Sequence, residues 1–257
     1  MHSVHFTAET SSDGVVERDF TVGDVTGVLW SPAAGPDHAP LVLMGHGGGL
    51  HKKAPGLLSR ARHCVTAFGY TVAAIDAPGH GDRPRTAHDE QARADLRQAF
   101  AAGDTELVKS VSARYGTSLA ERAVPEWQAT LDALQELPGI GTQAPVGYGG
   151  GITLGTAIGI PLTAVEPRIT VAIFGGGFFV HEGLIEAARR VTVPVQFLLP
   201  WDDEHVDRQS ALALFDAFAS KEKTLHANPG DHRDVRWYGV DDSFLARHLG
   251  RATTSPA

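Results

Sequence analysis

The chain predicts an α/β fold: a mainly parallel central sheet of about eight strands with helices on both faces. Three observations carry this reading. Short apolar runs alternate with amphipathic stretches along most of the 257 residues, the mark of repeated βα units. The inner runs, such as "APLVLMGHGGG", are apolar at every position rather than every second one, as strands covered on both faces are. Three of them stop at glycine clusters, "GHGGG", "GYGGG" and "IFGGG", where the backbone must turn tightly or approach a ligand. With 42% hydrophobic residues the chain is expected to fill one domain, residues 1–257.

The elements follow in order. "VVERDFTV" and "VTGVLW" alternate polar and apolar residues on either side of Gly23-Asp24, which predicts an antiparallel hairpin. After the strand Leu41 to Met44 comes an amphipathic helix, Gly56 to Phe68, and the strand within "YTVAAIDAPG". From Asp89 to Leu137 the pattern is helical, with a break expected near Gly116 and Thr117 or Ser118 capping the second helix. Residues 89–116 are the expected lid segment, because the later connections are too short to insert one. The alternation resumes with the strand Val146 to Gly150 and a helix from Thr153 to Val165, which Pro161 must kink or restart. "ITVAIFGGG", "VPVQFLLPW" and "KTLHAN" are the remaining strands, separated and followed by helices in "GLIEAARRV", "RQSALALFDAFAS" and "DDSFLARHL". Sheets of this kind collect ligands beyond the carboxyl ends of their strands.

A formal net charge of -8 and a pI near 5.9 exclude a polyanionic partner, and the short basic group His51 to Lys53 does not change that. The single cysteine, Cys64, cannot form an internal disulfide or a paired-cysteine metal site, and its place on an apolar helical face makes it a core residue. No apolar run approaches the roughly 18–20 residues of a membrane span, and the first residues lack the blocks of a signal peptide, so a cytoplasmic protein is expected. The expected partners are a small-molecule substrate and, at most, a second copy in a homodimer, without nucleic acid, membrane or cofactor. No metal is expected either, because the spacing of His46, His51 and His80 matches no ligand pattern and turn roles suffice.

Chemistry is suggested by three later strand ends and one earlier one. Gly151 and Gly155 stand two before and two after Thr153, the spacing that lets a strand turn sharply into a helix with a hydroxyl at the apex. The same spacing fits Gly149, but that register would begin the helix with Gly150 and Gly151, each costing about 1 kcal/mol relative to alanine. "WDDEHV" puts Asp202 and Asp203 at the end of the next strand but one, and His232 follows a Pro-Gly turn after the last. Hydroxyl, carboxylate and histidine in that chain order form one known triad arrangement. The glycines of "GHGGG" allow the N–H of Gly48 or Gly47, together with that of Leu154, to hold a developing oxyanion.

On these residues the chain resembles the α/β-hydrolase superfamily, in its dienelactone hydrolase-like and esterase-like branch, over essentially its whole length. The matching segments are "GHGGG", "DAPGHGDRP", "GITLG", "WDDEHV" and "PGDH". The resemblance implies an α/β-hydrolase fold and a Thr153-His232-Asp203 triad acting on a small ester, lactone or polyketide-like substrate. It selects Asp203 over Asp202, because the family acid stands three residues before a valine, here Val206. Where the family carries serine this chain carries Thr153, whose methyl restricts χ1 at a position usually held at positive φ. The alternatives are a lyase, cyclase or isomerase with His232 as general base, and a non-catalytic ligand-binding homologue. Phe178, Phe179, His181, Trp201 and His205, near strand ends, are the expected substrate-binding residues.

Overall fold

The computed structural model describes residues 3–151, 153–176, 179–203, 207–237, 239–240 and 243–250. Within them the chain begins with three antiparallel strands, β1 (His5–Ser12), β2 (Val15–Val22) and β3 (Val25–Pro32). Two-residue turns join them: Asp13 (φ 51) and Gly14 (φ 76) pair β1 with β2, and Val22 faces Val25 across Gly23-Asp24. The parallel strands follow as β4 (Leu41–Met44), β5 (Thr71–Ile75), β6 (Val146–Gly149), β7 (Ile169–Gly175), β8 (Val195–Pro200) and β9 (Lys223–Asn228). The sheet order is β1-β2-β3-β5-β4-β6-β7-β8-β9, with β5 pairing antiparallel to β3 and parallel to β4.

The strands between β3 and β9 carry apolar residues on both faces because helices cover both. Leu41 and Leu43 face a core completed by α3 (Thr105–Gln135), α4 (Leu154–Val165), α5 (Glu182–Ala188) and α6 (Arg208–Ala217). Their neighbours Val42 and Met44 face the other core, closed by α1 (Pro55–Phe68) and α7 (Phe244–Leu249). Cys64 is buried in this second core. The two-residue period of a strand is therefore present in the contacts although the hydropathy of each strand hides it. No helix among the described residues is long and apolar enough to cross a membrane.

One expectation changes and two are sharpened. The sheet has nine strands among the described residues, because β1, exposed along its whole length, has no apolar face to announce it and forms by pairing with β2. The break expected near Gly116 does not occur. Thr117 and Ser118 lie inside α3, whose buried residues Val108, Val111, Leu119, Ala123 and Trp127 keep helical spacing across the glycine. The chain turns earlier, where Gly103 takes the left-handed conformation (φ 65) at the end of α2 (Ala87–Ala102) and the Asp104 side chain caps α3 by accepting from Leu107 N–H. Finally, α4 runs through Pro161 as one helix, so of the two outcomes expected there the restart does not occur.

Candidate active site

Four residues carry the chain from β6 into α4, and Thr153 stands at their end with φ 72 and ψ −112, 9% exposed. Such a backbone costs a β-branched residue on the order of 1–3 kcal/mol, so its surroundings must impose it. Gly150 N–H donates to Ile173 O (2.9 Å), Gly151 N–H to Gly45 O (3.2 Å) and Thr153 N–H to Gly176 O (3.3 Å). The Thr153 carbonyl accepts from Thr156 and Ala157 N–H at 3.1 and 3.0 Å, which begins the helix. The buried hydroxyl of Thr156 lies 2.9 Å from Gly151 O and 2.8 Å from Gly175 O, tying the elbow to the end of β7.

The glycines are needed because strand and helix backbones touch. A Cβ on Gly155 would stand 3.2 Å from the carbonyl carbon of Gly45, and one on Gly151 3.2 Å from the Gly45 oxygen. Tyr148, wholly buried, fills the remaining gap: its hydroxyl donates to Gly155 O at 2.6 Å, and its side chain occupies the space that a Cβ on Gly45, Gly150 or Gly159 would need. Burial pushes its phenol pKa upward, so it stays a donor.

The loop after β4 meets the elbow from the other side. Gly48 N–H donates to Thr153 Oγ1 at 3.1 Å. Leu154 is the first residue of α4, so its N–H has no acceptor within the helix. Gly47 serves through its carbonyl, which accepts from Leu50 N–H at 3.2 Å and lies 2.8 Å from His46 Nδ1. Because His46 Nε2 accepts from Ala77 N–H at 3.0 Å, the ring proton belongs on Nδ1 and points at Gly47 O. Burial lowers the His46 pKa, which keeps that neutral tautomer. Two hydrogen bonds on one carbonyl hold the peptide plane whose N–H is that of Gly48. Under this loop Lys52 bridges Asp76 and Asp82, both at 2.6 Å. Burial alone would raise the Asp76 carboxyl; the Lys52 contacts outweigh it and hold the group below its ordinary value.

The acid and base lie on the loops after β8 and β9. Asp203 Oδ2 is 2.7 Å from both the backbone nitrogen and Nδ1 of His232, and its side chain is 1% exposed. A carboxylate only accepts, so Nδ1 carries the ring proton and Nε2 is the basic nitrogen of the neutral ring. Asp202 works on the backbone instead, where its Oδ2 accepts from Gly230 N–H at 3.2 Å and fastens the turn before His232. Among the described residues no hydrogen bond joins Thr153 Oγ1 to His232; in this state the hydroxyl rests on Gly48 N–H.

An open groove of about 1090 Å³ extends from the acid. Phe100 lines it from α2 and Val108 from α3, Phe179 from the loop after β7, and Trp201, Asp203 and Arg208 from the region after β8. The Phe100 and Phe179 rings lie 6.4 Å apart, and the Arg208 guanidinium covers the Trp201 ring at 4.1 Å. Phe179 itself is held at φ 53. His181 stands instead at the N-terminal cap position of α5, outside the groove's described lining, and burial lowers its pKa. Phe178 and His205 lie outside the described residues. No group of three or more His, Cys, Asp or Glu that could hold a metal ion occurs among the described residues. His46 and His80 serve loop geometry, His80 through Nδ1 at 2.9 Å from Pro78 O. Sequence reasoning passed over Tyr148 and Thr156; Tyr148 stood within the glycine run, but nothing local marked it as the filler of that space.

A strand-to-helix elbow with positive φ, a glycine loop donating to its hydroxyl, and a histidine held by a carboxylate two strands further on define a class of fold. The chain belongs to the α/β-hydrolase superfamily. It is similar over 95% of its length, at 33% identity and with a TM-score of 0.71, to a cold-adapted esterase from an Arctic intertidal metagenomic library, of which it covers 99%. Acetyl xylan esterase 1 from Thermoanaerobacterium sp. (13% identity, TM-score 0.66, 92% of this chain and 84% of that one) shares the fold. So does dienelactone hydrolase from Anabaena variabilis (22% identity, TM-score 0.53, 90% and 89%). No protein-family model matches the chain, and no curated protein matches it.

Proposed function

We propose that the protein hydrolyses a small ester, lactone or polyketide-like molecule through Thr153, His232 and Asp203. The observation that carries this is Thr153 itself: a threonine would not be held at φ 72 with its hydroxyl on a glycine-loop N–H unless that hydroxyl had to be presented. The esterase similarity supports the same reaction.

In this mechanism the ester carbonyl oxygen replaces Thr153 Oγ1 as the acceptor of Gly48 N–H and takes the Leu154 N–H as well. Oγ1 attacks the carbonyl carbon while its proton passes to His232 Nε2, and the two backbone donors stabilise the oxyanion. His232 returns the proton to the departing alkoxide, leaving an acyl-threonine. A water deprotonated by Nε2 then releases the acid and restores the hydroxyl. Asp203 holds the imidazole in the required tautomer throughout. Residues 89–116, from α2 into α3, form the lid segment over the groove, with Phe179 and Trp201 lining it.

A second reading follows from the resting contact of Oγ1 with Gly48 rather than His232. His232 and Asp203 then abstract a substrate proton and the loop binds an enolate, without an acyl-enzyme. A fluorophosphonate probe separates the two. Labelling of wild type that disappears in Thr153→Ala, with Thr153→Ser hydrolysing p-nitrophenyl butyrate about 10- to 100-fold faster than wild type, is expected for acyl chemistry. Turnover that survives Thr153→Ala but is lost in His232→Ala moves the assignment to the second reading.

A further inference from the structure

The end of the glycine loop and the first half of α1 carry four lysines and arginines with different fates. Lys52 is paired with Asp76 and Asp82, Lys53 with Glu17 and Asp19, and Arg62 with Asp13. Arg60 has no ion pair or hydrogen bond among the described residues, although it stands beside the elbow. Its Nη2 lies 3.6 Å from the point a Gly151 Cβ would occupy, and Gly47 N lies 3.9 Å from the same point. Its Nη1 is 3.9 Å from the corresponding point at Gly56. A Cβ at either position would reach the guanidinium, and glycine leaves both without one.

Arg60 is exposed, yet the protein atoms around it desolvate the guanidinium enough to lower its pKa. The guanidinium thus stands against the elbow at Gly151 while the residue keeps surface open to water. The guanidinium remains charged at any pH the protein survives, and its fork of donors matches a planar two-oxygen anion. A cation left unpaired there, next to the backbone that positions the nucleophile, has donors to offer an incoming ligand.

We propose that Arg60 binds a carboxylate carried by the substrate, making the preferred ester a monoester of a short dicarboxylic acid. This rests on the ester-hydrolysing reading for its chemistry but not for its binding. Monomethyl glutarate and methyl valerate differ by a carboxylate in place of a methyl, and their hydrolysis can be followed by pH-stat. In Arg60→Ala the ratio of kcat/KM for glutarate over valerate is expected to fall about 10- to 100-fold, chiefly through KM, with partial recovery in Arg60→Lys. An equal loss on both esters would assign Arg60 a structural role and overturn the proposal. Calorimetric titration with glutarate keeps the two readings apart. Binding that weakens at least about 10-fold in Arg60→Ala sustains the anion site even in an enzyme that cleaves neither ester. Absence of glutarate binding to wild type removes it.

Discussion

Around Thr153 backbone packs on backbone: Gly151 and Gly155 press against Gly45, and a buried tyrosine fills the space left over. Around the groove, by contrast, large side chains stand in water, with Phe100 47% and Trp201 38% exposed on either side of an opening. Near the reacting hydroxyl, position is set by main-chain contacts that cannot shift by an ångström without moving a strand or a helix. Over the groove, shape is set by side chains that can be exchanged while the backbone stays. The first region should therefore fail abruptly when altered, and the second should retune.

The sharpest way to break the first region is Gly45→Ala. The new Cβ would stand 2.8 Å from Gly155 Cα and collide with the Tyr148 hydroxyl, so strand and elbow must separate. A fall of about 100-fold or more in kcat is expected, with a stability loss on the order of 1–3 kcal/mol in chemical denaturation. Undiminished kcat would show that the elbow tolerates displacement.

The connection between the regions is tested by pH. His80, 4% exposed, holds its Nδ1 against Pro78 O and its Nε2 3.0 Å from the Arg93 guanidinium of α2, the helix that leads to the groove. Burial first, then neighbouring His46 and Arg93, lower its pKa from 6.5 to about 4. The unfolded chain therefore takes up the proton before the folded one. The stability associated with neutral His80 is complete above about 6.5 and declines as pH falls towards about 4. Urea unfolding at about pH 7.5 and about pH 5 should differ by about 2 kcal/mol from this residue, and His80→Gln should lose that part of the slope. A slope that His80→Gln leaves intact would place its origin elsewhere.

The smallest effect belongs to the groove. Phe179→Gly relieves a positive φ and removes one aromatic wall. Stability should change by about 1 kcal/mol or less, and KM for aryl esters should rise roughly 3- to 10-fold with kcat moving less. A collapse of kcat comparable to that of Gly45→Ala would erase the distinction between the two regions.

Much of the rigid region was legible in the sequence because close backbone approach leaves only glycine as a solution, and glycine spacing is visible. The order of the parallel strands' connections was legible for a similar reason, since buried strands are continuous apolar runs. What escaped depends on contacts distant in sequence. β1 has no burial to give it a pattern, Lys52 meets Asp76 only after β5 has folded beside β4, and Gly103 and Gly116 look alike until one of them must adopt φ 65. Hydropathy carried across Gly116 because α3 needed that face for its core. The choice between Asp202 and Asp203 was made from resemblance, and the geometry supplies its physical content: one aspartate fastens the turn, the other meets the imidazole.

Tyr148 has a consequence for how such a chain can diverge. Its side chain claims the space next to Gly45, Gly150 and Gly159 at once, so none of those three can acquire a side chain while the tyrosine stays. Shrinking the tyrosine alone opens a void against Gly155 O, and enlarging one glycine alone expels the ring. The four positions are thereby coupled but not equally: without the tyrosine a side chain would fit at Gly159 and nearly so at Gly150, whereas Gly45 would still meet Gly155 Cα at 2.8 Å, so the glycine of the loop outlasts the ring that now covers it.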